Sequence, residues 1–126
     1  MGVAHHSSYI PWLEQARTEL LRSSGISYAQ LEEAGIFLAV VKLDITYRRP
    51  ARYDDLLDIH ATLTRSTKIK LIHEYAVRLR ERPTLDSATL AGLIAGDNGV
   101  LVRASTTLAC IDSTGRPQPL PDWLSL

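Results

Sequence analysis

Cysteine occurs once in the 126-residue chain, as Cys110, so no disulfide can close within it and a packed, inert thiol is expected. No ladder of Cys and His at finger-like spacing accompanies it, which argues against a structural zinc site. Long unbroken apolar runs are missing, as is a charged-then-apolar leader, so neither a membrane span nor export is expected and the cytoplasm is the anticipated location. An excess of one charge is missing too. Fourteen Lys and Arg balance fourteen Asp and Glu, leaving no overall pull toward nucleic acid or an anionic membrane. Internal repeats, low-complexity stretches and linker-like segments are absent, and the length suits one domain with a real core.

What is present is strongly patterned. Ser7 or Ser8 reads as an N-cap with Pro11 in the first turn, and Tyr9, Leu13, Ala16 and Leu20 recur at helical spacing until Gly25 stops the helix. Ser27 caps a shorter stretch, Tyr28 to Ala34, which Gly35 closes. From Phe37 the period becomes two. Leu43, Ile45 and Tyr47 alternate with polar residues up to Pro50, then Leu57 to Leu63, Ile69 to Leu79 and Val100 to Ile111 do the same, giving four antiparallel strands. Pro83 to Gly99 reads as an insertion between strands, because its glycines argue for a loop although Leu90, Leu93 and Ile94 suit a short helix. One long helix across the buried face of an antiparallel sheet is the architecture this order implies, an α+β fold.

Gly2-Val-Ala-His-His-Ser-Ser-Tyr9, Trp12-Leu-Glu-Gln-Ala-Arg-Thr-Glu19, Tyr47-Arg-Arg-Pro-Ala-Arg-Tyr-Asp-Asp55 and Gly115-Arg-Pro117, in that order, resemble the hotdog-fold acyl-CoA thioesterases. The similarity is greatest to the group of 4-hydroxybenzoyl-CoA and Tol-Pal-associated thioesterases. The resemblance implies a single hotdog domain over residues 1–126, a long antiparallel sheet wrapped around a central helix. It also implies a homodimer or homotetramer that hydrolyses acyl-CoA to a carboxylic acid and free CoA without metal or other cofactor. The family's catalytic aspartate falls by register two residues ahead of Met1, and the family's first strand also lies ahead of residue 1. A non-catalytic acyl-CoA or acyl-carrier-protein binding module is the alternative from another class, and a purely structural dimer is a third.

His6 lies where loop becomes helix, so its amide is expected among the unsatisfied donors at the positive helix end, suited to a developing oxyanion. The resemblance assigns it that role; spacing alone makes it a capping-region residue, as it does His5. Glu14 is the candidate substitute carboxylate, by likeness to another branch of hotdog thioesterases. Two helical turns from His6, it reads first as an ion-pair partner of Arg17 at i, i+3. Arg49, within the cluster Arg48, Arg49 and Arg52, and the strand pair Lys68 and Lys70 are candidates for the CoA phosphates. Tyr9, Trp12 and Leu13, with Phe37 or Val40, are candidates for the acyl pocket, against their plainer reading as core. Asp54 and Asp55 read as turn residues, and His60 and His73 as packing or surface residues that a hairpin would bring opposite each other.

Overall fold

The computed structural model describes residues 2–124; Met1, Ser125 and Leu126, the outermost residues of the expected domain, lie outside the described residues. Four antiparallel strands form one sheet: β1 (Phe37–Tyr47), β2 (Leu56–Ser66), β3 (Lys70–Glu81) and β4 (Val100–Ile111), in the order β1-β4-β3-β2. Helix α1 (His6–Ser23) lies on the sheet, α2 (Tyr28–Glu33) follows it, and α3 (Ser87–Ala95) interrupts the β3–β4 connection. The α+β arrangement and all four expected strands are present.

Local chemistry sets the element ends. At α2, Ser27 accepts from the Gln30 amide while Gln30 accepts from the Ser27 amide, a reciprocal capping box, and Gly35 follows at φ +77°. Helix α1 stops as expected, with Ser24 as C-cap and Gly25 at φ +87°. Its start differs from expectation. His5 is the N-cap, its Nδ1 accepting from the Ser7 amide at 3.2 Å, because an imidazole nitrogen serves the first turn as a serine hydroxyl does. Pro11 therefore sits inside the helix rather than in its first turn, and the bond its missing N–H would have sent to Ser7 O is lost on an exposed surface where water can replace it. The expected insertion is also corrected, since Asp86 accepts from the Thr89 amide and starts α3 in spite of Gly92.

The core lies between α1 and the sheet. Tyr9 and Leu13 pack against Tyr75, Val77, Leu79, Val102 and Ala104, and a second cluster gathers Leu21, Leu31, Ile36, Cys110 and Leu124. Cys110 is fully buried, as expected, and burial pushes its thiol above the usual range. Sheet register places His60 opposite Ala76 and His73 opposite Leu63, so the two histidines do not face each other. His60 is exposed, whereas His73 points into the core.

The expected Glu14–Arg17 pair does not form. The Arg17 guanidinium turns inward, donating to the hydroxyls of Tyr28 at 3.1 Å and Tyr75 at 3.3 Å, and Tyr75 in turn shares a 2.7 Å hydrogen bond with Thr106. The buried Tyr75 and half-buried Tyr28 hydroxyls outcompete an exposed carboxylate here, because an ion pair in water gains little while a polar group shut away from water without a partner is costly. Glu14 is left on the solvent side of α1.

Candidate active site

The segment ahead of α1 is held by the loop between β1 and β2. Ala4 N–H donates to Ala51 O at 2.8 Å and Tyr53 N–H to Gly2 O at 2.9 Å, a short antiparallel bridge that pairs Val3 with Arg52. Ala51 N–H donates to the buried hydroxyl of Tyr9 at 3.1 Å. These contacts leave the first turn of α1 with unequal fates for its amides. Ser7 N–H is taken by the His5 side chain and Ser8 N–H by His5 O at 2.9 Å, whereas no protein acceptor among the described residues takes the His6 N–H. It lies at the N-terminus of an 18-residue helix, where the aligned peptide dipoles amount to roughly half a positive charge.

Beside this terminus a cleft of about 210 Å³ opens between His6, Tyr47, Arg48 and Pro50. The Tyr47 hydroxyl donates to His6 O at 3.5 Å, and the Tyr9 ring packs edge-on against Tyr47 and Trp12 with centroids 5.3 Å and 5.0 Å away. His6, whose amide has no acceptor among the described residues, lines this cleft at the positive end of α1, and these are the elements of an oxyanion site. Among the described residues no cluster of His, Cys, Asp and Glu is placed to hold a metal ion. No described helix is long and apolar enough to cross a membrane.

The other expected site residues scatter. Tyr9 and Leu13 belong to the core, although Tyr9 also lines the cleft. Trp12 is half-buried and faces two further grooves, one with Tyr53 and Leu57, the other with Gln15 and Ile59. Phe37 starts β1 at the end of the strand remote from Tyr47, and Val40 is exposed. Glu14 lies eight residues along the helix from His6, on the order of 12 Å at the helical rise, so the two cannot share one carbonyl. Arg49 is corrected as a free cation: its guanidinium donates to Leu93 O at 3.2 Å and Val100 O at 3.3 Å, tying α3 to β4. Arg48 is paired with Asp97. Lys68 and Lys70 sit at the Ala109 end of the sheet, while Tyr47 pairs with Val102 at the other end. Seven residues of strand, on the order of 23 Å, separate them from the cleft, so within one chain they do not serve it.

Sequence reasoning missed Arg82. It follows β3, and its guanidinium holds Asp55 by two bonds of 2.8 Å, Nε to Oδ1 and Nη2 to Oδ2, in a pair whose side chains are 10% and 1% exposed. Burial pushes the Asp55 carboxyl up, but Arg82 and the Arg52 amide prevail and hold it below the usual range. Turn chemistry at Asp54 and Asp55 is as expected, with Asp54 at φ +65° and Asp55 accepting from the Arg52 amide.

The thioesterase superfamily model matches residues 1–85. Among curated proteins, a putative esterase of Aquifex aeolicus is 32% identical over 76 residues, covering 60% of this chain and 59% of that protein. The acyl-CoA thioester hydrolase YbgC of Escherichia coli is 28% identical over 121 residues, covering 95% of this chain and 78% of that protein. The match thus spans less than two thirds of the length of the Aquifex relative. The crystal structure of a hypothetical protein from Thermus thermophilus superposes with a TM-score of 0.76 at 30% identity, over 97% of this chain and 81% of that one.

Proposed function

The chain belongs to the thioesterase superfamily and has its hotdog fold, and from that premise we propose that it is an acyl-CoA thioesterase. The observation that carries this reading is the unengaged amide of His6 at the start of α1, in a residue that lines the cleft beside Tyr47. In the reaction, the thioester carbonyl oxygen accepts from His6 N–H. A carboxylate either takes a proton from water that attacks the carbonyl carbon, or attacks that carbon itself to give a mixed anhydride that water then hydrolyses; in both cases the C–S bond breaks and the CoA sulfur leaves as thiolate to be protonated by solvent. The carboxylate is the family's aspartate, which by register falls two residues ahead of Met1. Glu14, solvent-facing and distant, takes no part.

The active form is a homo-oligomer, a dimer or a tetramer, in the cytoplasm. Supporting this, β1 is an edge strand that leaves Val40, Val41, Leu43 and Tyr47 exposed, with Lys42 the one positive charge among them. An edge so apolar invites pairing unless a partner covers it. Tyr47 ends that strand and lines the cleft, so a second copy on β1 also walls the site. Lys68 and Lys70 of another copy, and Arg52 of the same one, are the cations left for the CoA phosphates.

The test uses a property of the first helical position. Proline is tolerated there, and His5 at φ −68°, ψ 146° already has the extended backbone that must precede one. His6→Pro therefore deletes the donor and little else, whereas His6→Ala deletes only the ring. With any in-frame residues that the coding DNA supplies ahead of Met1 included, thiol release from acyl-CoA should fall about 100-fold or more in kcat for His6→Pro and little for His6→Ala. No turnover of aliphatic or aromatic acyl-CoA by the unaltered protein would leave the non-catalytic binding module as the reading.

A further inference from the structure

We propose that Arg82, acting through Asp55, is a positioning residue for the oxyanion donor: the pair fixes the loop from which the start of α1 is hung, and so sets where the His6 amide points. The inference rests on the thioesterase reading and adds to it a residue remote from the cleft.

Arg82 stands just past β3 and Asp55 just ahead of β2, so their two-pronged contact closes the end of the β2–β3 hairpin. The same two side chains also bind the loop itself. Asp55 Oδ2 accepts from the Arg52 amide at 2.7 Å, and Arg82 Nη2 donates to Pro50 O at 3.4 Å. Residues 50–55 are thereby tied at both ends, which holds Asp54 in a left-handed conformation that a non-glycine residue adopts only when its surroundings impose it.

The opposite side of this loop carries the chain entering the helix. Ala51 and Tyr53 make the three bonds that hold Gly2, Ala4 and Tyr9, and His6 is two residues beyond Ala4. A bridge this short has little independent stability, so the segment entering the helix depends on what holds the loop it pairs with. Burying an arginine–carboxylate pair is moreover a poor way to gain stability, because desolvation consumes most of the Coulomb attraction. What such a pair supplies is direction. Two parallel N–H···O bonds fix distance and angle together, which apolar packing of equal volume would not.

Arg82→Gln, Arg82→Lys and Asp55→Asn test this by two independent readouts. In Arg82→Gln, amide exchange at Ala4, Ala51 and Tyr53 should accelerate about tenfold or more while amides within the β3–β4 ladder keep their rates. The kcat for acyl-CoA should fall between about 10-fold and 100-fold with KM little changed, as expected when a donor is displaced rather than a binding surface lost. Arg82→Lys, which keeps the charge and loses the fork, should fall between. Uniform acceleration of exchange across the whole sheet would overturn the proposal, as would unchanged exchange at those three amides. Should Arg82→Gln fail to fold, Arg82→Lys and Asp55→Asn carry the same comparison. If the unaltered protein turns over no acyl-CoA, the thioesterase reading falls alone and amide exchange still decides the clamp.

Discussion

His73 gives the protein an acid sensitivity whose size follows from its position. It is 5% exposed, its Nδ1 has no hydrogen-bond partner, and the residues around it are Arg17 from α1, Tyr75 on its own strand and Thr106 across the β4 ladder. Burial, and then the neighbouring Arg17 charge, lower its pKa from 6.5 to about 4. The unfolded chain therefore binds a proton in a pH range where the folded chain does not. Stability from this group is complete above pH 6.5 and is lost as pH falls toward 4, at about 1.4 kcal/mol per pH unit. The whole loss is about 3 kcal/mol, a large share of the roughly 5–15 kcal/mol that holds a domain of this kind together.

Urea unfolding across that range, for the unaltered protein and for His73→Leu, isolates the contribution, since every other titrating group appears in both curves. The difference between them should be flat above pH 6.5 and grow to about 3 kcal/mol near pH 4. With a slope of about 1–3 kcal/mol per molar urea, that is a midpoint shift on the order of 1 M or more. Parallel curves would refute the reasoning, for they would mean that His73 charges in the folded core as readily as in the unfolded chain. Direct titration of the His73 ring by NMR makes the same distinction.

Three further expectations concern backbone and packing. Gly99 sits at φ +72° with Leu79 O only 2.8 Å from where a Cβ would lie, so Gly99→Ala should destabilise by at least ~1–3 kcal/mol in thermal or urea unfolding. Gly92, inside α3 with open space around it, should respond oppositely, Gly92→Ala gaining roughly 0.5–1 kcal/mol. Leu13, 1% exposed on the buried face of α1, should cost ~2–5 kcal/mol when cut to alanine, and a loss below 1 kcal/mol in urea unfolding would show that the helix does not pack on the sheet as described.

Much of the fold is legible in the sequence because its signals are local. The Ser27–Gln30 capping box, the stop at Gly25 and the two-residue period of the strands each need only a few neighbouring residues to be read. Failures occur where a local signal meets a competitor. Gly92, Gly96 and Gly99 mask α3, although Asp86 supplies its cap; His5 displaces the serines as the cap of α1 because a ring nitrogen does the same work. The site is legible only in part for a different reason. His6 stands out through resemblance, while the tie from Arg82 to Asp55 spans 27 residues and leaves no mark in either segment. Arg49 illustrates the converse, a cation that sequence offers to a phosphate and the fold gives to two carbonyls.

The division of α1 into two unlike halves fits what the proposed oxyanion donor requires. A single amide is useful only if it is held within about 0.5 Å of its place, and apolar contacts are non-directional, so Tyr9 and Leu13 bring the helix down on the sheet without fixing its slide or rotation. Directional bonds do that. At the amino end, Tyr9 OH accepts from Ala51; eight residues on, the Arg17 guanidinium reaches Tyr75 on β3 and Tyr28 on α2. These ties lie two turns apart on the inward side of one helix, and together they fix its register and its roll. The polar core beneath Arg17, which would otherwise be a poor use of buried volume, is thus the far anchor of the proposed site, and the Arg17 charge adds to the burial that makes His73 acid-sensitive.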